Sequence, residues 1–346
     1  MTQGAGRRGP DAAVILAGGG GTRLWPWTGP DLPKPLLPLG GGGRTLLGAT
    51  LDRLAGIVPP GRVRALAAPG LGAVLAAGEP RLDAESLWVE PSPRDTGPAV
   101  ALAMRRVLDE DPAAVVAILP ADHRVGDEAR FAAALASAAE AARAGELALL
   151  GVAPDHPSTR FGYLHLPAER AAGGTAVVGP IVEKPDPEKA RTLLAAGALW
   201  NAGMFVWRAD VFWAELERRC PEIAGPVAEY AASGDVAAWE RARRTSIDYG
   251  LMEKVPRAVA APLDAAWDDV GGWDAVAPLA ACGDAGPARL IELRGEGAAG
   301  SLALVVGEGE AEAAVLLGEG ARLVVVGPRG VLVAPRDAAD RVKAFV

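Results

Sequence analysis

The chain has 346 residues, half of them hydrophobic, with 43 acidic against 35 basic side chains and a formal net charge of −8. A chain of this length buries roughly three quarters of its unfolded surface, enough for one large domain and a small one. The acidic balance argues against nucleic acid as a partner, and no apolar run reaches the ~20 residues of a membrane span.

Two cysteines, Cys220 and Cys282, give no disulfide framework, so a reduced, cytoplasmic setting is the simpler expectation. Residues 1–10 are polar, glycine-rich and basic without an apolar centre, unlike a secretory signal; a disordered lead-in is expected over 1–11. The basic residues are almost all arginine. Only Lys34, Lys184, Lys189, Lys254 and Lys343 are lysines, and Asn201 is the only asparagine. Positions that keep Lys or Asn against this bias are candidates for a specific chemical need, although Lys189 and Lys343 read as chance survivals.

The first element is the run Val14-Ile15-Leu16-Ala17, too short for a helix and suited to a buried strand. Gly18, Gly19, Gly20 and Gly21 follow, then Thr22 and Arg23. Glycines in series let backbone N–H groups converge without Cβ interference, which makes a concave anion site. Alone, such a run is more often a flexible turn. Here Arg23 stands at its lip and Lys34 is braced between Pro33 and Pro35, which favours a polyphosphate cradle. A P-loop is excluded because no Lys-Ser/Thr follows the last glycine, and a dinucleotide fingerprint because Arg23 occupies a small-residue position.

Residues 18–39, GGGGTRLWPWTGPDLPKPLLPL, resemble the GxGxRLxPxTxxxPKPLLPL signature of the sugar-1-phosphate nucleotidyltransferases. The Trp25-Pro26 pair is similar to the branch that joins GTP to mannose 1-phosphate. This resemblance implies a Rossmann-like open mixed α/β sheet of the nucleotide-diphospho-sugar transferase fold. It also implies Arg23 and Lys34 as catalytic cations, with Ala17, the four glycines and Thr22 against the nucleotide.

Further along, Thr45 to Val58 carries leucines at 47, 51 and 54, a helical stripe, and Val63–Ala68 and Leu87–Glu90 read as strands. Thr96 and Pro98 punctuate the start of a helix through Leu108. Glu90 to Pro98 resembles the family's EPxxRNTAP segment beside the base, with Asp95 in the usual Asn position; the resemblance adds Thr96 to the nucleotide site. Val115–Leu119 is a continuous apolar strand followed by Pro-Ala-Asp122-His, where ligands collect in open α/β sheets. As a lone feature Asp122 would be a helix cap; the resemblance to PADH makes it a Mg²⁺ ligand. A helix over 128–144 ending at Gly145 and a strand over 147–152 follow.

The later motifs resemble the family's sugar half. Arg160-Phe161-Gly162-Tyr163 is similar to its GYGY turn, Glu183-Lys184-Pro185 at the end of a strand over 177–182 to EKP, and Trp200-Asn201-Ala202-Gly203-Met204-Phe205 to WNSGMF. The resemblance gives Gly162, Glu183, Lys184 and Asn201 to the sugar phosphate. Helices are expected over 210–219 and 237–244. Ser246 to Lys254 resembles the SIDYxxMEK helix, with Asp248 and Lys254 read as structural, positioning the sugar face. Trp267 to Trp273 resembles WxDxGxW, which makes Asp269 the second Mg²⁺ ligand and Asp268 its close competitor. Residues 288–346 alternate short apolar runs with glycine turns, predicting a small all-β domain, a short β-helix among the options, after a catalytic domain over 12–284.

The expected reaction is GMP transfer from GTP to mannose 1-phosphate with Mg²⁺, releasing pyrophosphate. Its rivals are glucose 1-phosphate with dTTP or UTP, and a non-catalytic nucleotide-sugar-binding subunit. GTP and mannose 1-phosphate are the expected partners, with a homodimer allowed and neither nucleic acid nor membrane.

Overall fold

The computed structural model describes residues 9–166, 174–179, 181–308, 310–316 and 320–346. Strand β1 (Ala12–Ala17) is apolar throughout and almost wholly buried, as a central strand between parallel neighbours must be. Helix α1 (Leu46–Leu54), capped by the Thr45 hydroxyl accepting from Gly48 N at 2.9 Å, crosses to β2 (Val63–Ala67). Helix α2 (Leu71–Gly78) leads to β3 (Leu87–Val89), and α3 (Thr96–Glu110) to β4 (Val115–Pro120). A short β5 (Arg124–Val125) and α4 (Glu128–Arg143) precede β6 (Ala148–Val152).

An insert follows with β7 (Tyr163–Leu164), β8 (Ala176–Val178), β9 (Ile181–Val182) and α5 (Pro187–Ala195). The chain re-enters the sheet as β10 (Leu199–Arg208) and continues through α6 (Ala209–Arg219), α7 (Pro221–Ser233), α8 (Val236–Arg241) and α9 (Ile247–Gly250). Strands β11 (Ala258–Pro262) and β12 (Trp267–Asp268) and helix α10 (Trp273–Ala281) complete this part.

Among the described residues the main sheet has ten strands; its path runs β3, β2, β1, β4, β10, β6, β11, β8, with β7 paired to β10 and β9 to β7. Strands β2, β1 and β4 are parallel, whereas β10 runs antiparallel to both β4 and β6. The expected open mixed α/β sheet is therefore present. Alternate residues of each strand feed two cores. Val14, Val116, Ile118 and Trp207 face the layer of α3, α6 and α7, while Ile15, Ala117, Leu119 and Val206 face α1 and α4. One register matters most for function. Leu16 of β1 lies opposite Pro120 of β4, so the glycine loop after β1 and Asp122 after β4 emerge side by side.

Several sequence expectations need correction. Asp95, with φ 66°, is the N-cap of α3 and accepts from Thr96 N at 2.7 Å; Thr96 is the first helical residue instead. The expected strand over 177–182 is two strands, β8 and β9, in different pairings. The expected helix over 246–254 is the short α9 followed by a 3-10 turn, Met252–Lys254. Of the expected lead-in, residues 1–8 lie outside the described residues. Asp11 is held to the sheet, its N–H donating to Val115 O at 2.7 Å and its carboxylate accepting from Val115 N at 3.0 Å.

Beyond Cys282 the chain forms β13 (Arg289–Leu290), β14 (Glu292–Arg294), β15 (Leu302–Val305), β16 (Ala313–Val315), β17 (Arg322–Gly327) and β18 (Gly330–Pro335). The parallel ladders β14/β16 and β15/β17 pair Glu292 with Ala313 and Leu302 with Leu323, the same offset in both, so the chain winds in one direction. This region is not separate from the signature stretch. Leu304, Leu323, Val325 and Val342 share a core with Leu24, Trp27, Leu37, Val270 and Trp273, and Arg329 pairs with Asp31 and donates to Trp27 O at 3.0 Å. No helix among the described residues is long and apolar enough to cross a membrane.

Candidate active site

The glycine loop closes onto Lys34. Gly21 has φ 72°, and a Cβ added there would lie 2.3 Å from Lys34 Cβ, so only glycine lets the loop pack on the lysine stem. Lys34 N donates to Gly20 O at 3.3 Å, and the Thr28 hydroxyl donates to Gly21 O at 3.0 Å. This packing leaves Lys34 only 7% exposed. Its ammonium is fixed between Asp122 Oδ2 and the Asp269 carbonyl oxygen, both at 2.7 Å. Two acidic residues far apart in sequence thus converge on one cation. Burial pushes the Asp122 pKa up, but the charge and hydrogen bond of Lys34, with a further contribution from His123, together outweigh it and hold that carboxyl below its usual range.

The Asp269 carboxylate accepts from Arg160 at 3.1 Å. A Cβ on Gly271 would collide with both groups, 1.5 Å from Arg160 Nη2 and 2.5 Å from Asp269 Oδ2. Asp268 is turned into its own loop, where Oδ1 accepts from Val270 N at 2.6 Å; of the two, Asp269 lines the cavity that holds Lys34. His123 accepts at Nδ1 from Trp267 Nε1 at 3.1 Å, which leaves its proton on Nε2. Burial pushes its pKa down to about 4.

Two cavities meet at Gly19, Asp122 and His123. One, of about 490 Å³, extends over Leu16, Gly18, Glu90, Thr96 and Asp248. The other, of about 400 Å³, holds Gly20, Gly21, Thr22, Arg23, Lys34 and Asp269. Ala17 lines the first, and the Thr96 hydroxyl accepts from Ile247 N at 3.0 Å, tying α3 to α9. Among the described residues Arg23 has no ion-pair partner.

The expected sugar-phosphate residues form a neighbouring group. The path of β10 is irregular between Asn201 and Phe205. There Asn201 Oδ1 accepts from Gly203 N at 2.9 Å, and its Nδ2 donates to Asp248 Oδ1 at 2.7 Å. Asn201 N donates to Gly162 O at 2.8 Å. Gly162 is tight, since a Cβ would sit 2.4 Å from Glu183 Oε2. Glu183 is ion-paired with Lys184. Gly162, Glu183, Lys184 and Asn201 do not line the larger cavity themselves; Asp248, which does, joins them to it. Burial and the Glu183 charge push Asp248 up to about 7.

Sequence reasoning gave Glu90 and Arg160 no role, and gave Asp248 a structural one, positioning the sugar face. Glu90 is 6% exposed and lines the larger cavity with Oε2 lacking any hydrogen-bond partner. Burial raises its pKa to about 7. Its signal was an acidic residue directly after an apolar strand, the same cue that identified Asp122.

A family model described as nucleotidyl transferase matches residues 12–281. The alginate biosynthesis protein AlgA of Pseudomonas aeruginosa is 37% identical over 281 residues, covering 76% of this chain and 57% of its own length. The mannose-1-phosphate guanylyltransferase of Escherichia coli is 35% identical over 289 residues, covering 78% of this chain and 59% of its own length. The chain therefore spans under three fifths of these curated relatives. A solved structure titled mannose-1-phosphate geranyltransferase, from Thermus thermophilus, is 34% identical with a TM-score of 0.77, over 96% of this chain and 97% of the other.

Proposed function

The chain belongs to the nucleotidyl transferase family, and from that premise we propose that it transfers GMP from GTP to mannose 1-phosphate, giving GDP-mannose and pyrophosphate. A phosphate oxygen of the sugar phosphate forms the new bond to the α-phosphorus as the bond to the β-phosphate oxygen breaks. No side-chain nucleophile is needed, so the protein contributes positioning and charge neutralisation. The glycine loop and Thr22 cradle the triphosphate, and Arg23 and Lys34 meet the charge that grows on the departing pyrophosphate. Glu183, Lys184 and Asn201, joined to the cleft by Asp248, hold the mannose hydroxyls and phosphate.

Nucleotidyl transferases generally use a divalent metal, and Asp122 and Asp269 suit Mg²⁺. They are two hard oxygen donors lining the cavity of the glycine loop, and Mg²⁺ usually takes one or two carboxylates with substrate phosphates and water. Bound there, Mg²⁺ would neutralise phosphate charge and orient the two reactants.

Glu90 carries the choice of base. A carboxylate only accepts hydrogen bonds, and guanine presents two adjacent donors, N1–H and the 2-amino group. Uracil and thymine present a single N–H between two carbonyls, which a carboxylate repels. The unpartnered Glu90 Oε2 therefore fits guanine and disfavours the dTTP or UTP reading. Because Glu90 is protonated below about 7 in the free protein, GTP should bind more tightly as pH rises from 6 to 8, after correction for the phosphate's own titration with ITP, which lacks the 2-amino group. In Glu90→Gln the GTP-over-ITP preference should fall by about 10–100-fold, the loss of hydrogen bonds to a charged acceptor, and its pH dependence should flatten. An unchanged GTP/ITP ratio in that variant would remove Glu90 from base recognition.

On the sugar side, Glu183→Ala should raise the KM for mannose 1-phosphate about tenfold, because hydroxyls lose a charged acceptor, while the KM for GTP stays within about twofold. Steady-state kinetics with each substrate varied separately checks this, and a selective GTP defect would exchange the two halves of the site.

A further inference from the structure

The cavity beside the glycine loop has a wall from the far end of the chain. Lys343 lines it together with Thr22, Arg23, Lys34 and Asp269. It belongs to a 3-10 segment, Arg336–Ala344, that packs against the Thr22–Leu24 turn. Its neighbour Val342 is 8% exposed and sits in the core that contains Leu24 and Val270. The backbone that presents Lys343 is thus fixed by burial to the loop that would cradle phosphate and to the loop that carries Asp269. The side chain itself is exposed, as a group awaiting a solvent-borne ligand should be.

The charge balance of this cavity points the same way. Lys34 is matched by Asp122 and Arg160 by Asp269, so those pairs carry no net charge. Among the described residues, Arg23 and Lys343 are the cations lining this cavity without an ion-pair partner. A polyphosphate needs unmatched positive charge, and a compact ammonium serves as a point charge for phosphate oxygens.

We propose that Lys343 is a binding residue for the terminal phosphates of the triphosphate and for the pyrophosphate they become, supplied to the catalytic cleft by the C-terminal β region. This rests on the reading of the cavity as the polyphosphate end of a nucleotidyltransferase site. It gives the C-terminal region a direct part in the reaction.

The test is calorimetric titration of Mg²⁺-pyrophosphate into wild type, Lys343→Met and Lys343→Arg, with thermal melts and the KM for each substrate. Lys343→Met should bind pyrophosphate about tenfold more weakly, the effect of one charge-assisted contact at an exposed site. Its KM for GTP should rise in parallel, while the KM for mannose 1-phosphate and the melting temperature stay unchanged. Lys343→Arg should recover most of the affinity, since charge is kept. Pyrophosphate affinity in Lys343→Met equal to wild type overturns the proposal, as does an equal loss for mannose 1-phosphate. The two readings fail differently. Wild type that binds pyrophosphate through Lys343 yet turns over no GTP with mannose 1-phosphate removes the proposed reaction and keeps this site. Wild type that binds no pyrophosphate removes both.

Discussion

Lys34→Ala should lower kcat by roughly 10²–10³-fold, the range seen when a preorganised group facing developing negative charge is removed. The ammonium lies 2.7 Å from both Asp122 Oδ2 and the Asp269 carbonyl, so it fixes the distance between two strand ends as well as supplying charge. Its loss leaves a carboxylate and a carbonyl facing each other without a cation. Lys34→Arg should not rescue. The stem is pressed by Gly21, and a planar fork cannot occupy the place of a compact ammonium that is 7% exposed. Because the group is buried, circular dichroism and thermal melting must accompany the kinetics. A folded Lys34→Ala protein with near-wild-type kcat would show that the lysine only holds structure.

Asp122→Asn and Asp269→Asn should each cost at least the ~10–100-fold typical of losing even an outer partner of a metal site, and both should demand more Mg²⁺ for half-maximal rate. Direct Mn²⁺ titration of the protein, independent of turnover, should show weakened binding in both variants. The structure separates the neighbours. The Asp268 carboxylate is engaged by Val270 N at 2.6 Å, whereas the Asp269 carboxylate pairs with Arg160 and its residue lines the cavity of Lys34. Asp268→Asn should therefore be the milder variant. A larger metal defect at Asp268 would move the ligand by one residue, and unchanged metal dependence in all three would reduce these aspartates to capping and turn roles.

The sequence was most legible where chemistry and backbone coincide. The glycine loop and Asp122 were readable because each follows an apolar strand, and parallel strands deliver their carboxyl ends to one edge; Lys34 was readable from its flanking prolines, and Asp269 from the motif around it. What the sequence hid were pairings between distant segments. Nothing local shows that Asp122 and Asp269 meet at Lys34, or that Asn201 reaches Asp248 across an irregular stretch of β10. Helices α7 and α10 carry Pro226 and Pro278 inside them, where proline ordinarily argues against a helix. Residues 288–346 read as an appendage because their apolar runs are short and separated by glycine-rich turns. In the fold that region completes the core under the signature stretch, and the Trp25–Trp27 segment forms part of the seam: Trp25 meets Gly330, and Trp27 accepts from Arg329.

The central claim is the identity of the two substrates. Pyrophosphate release by the purified protein with Mg²⁺, across GTP, ATP, UTP and dTTP against mannose 1-phosphate and glucose 1-phosphate, tests it most directly, with the nucleotide sugar identified by mass. The account expects GTP with mannose 1-phosphate to give the highest kcat/KM, with GDP-mannose formed in equal amount to pyrophosphate. Preference for UTP or dTTP with glucose 1-phosphate would contradict it, and so would binding of GTP without any pyrophosphate released.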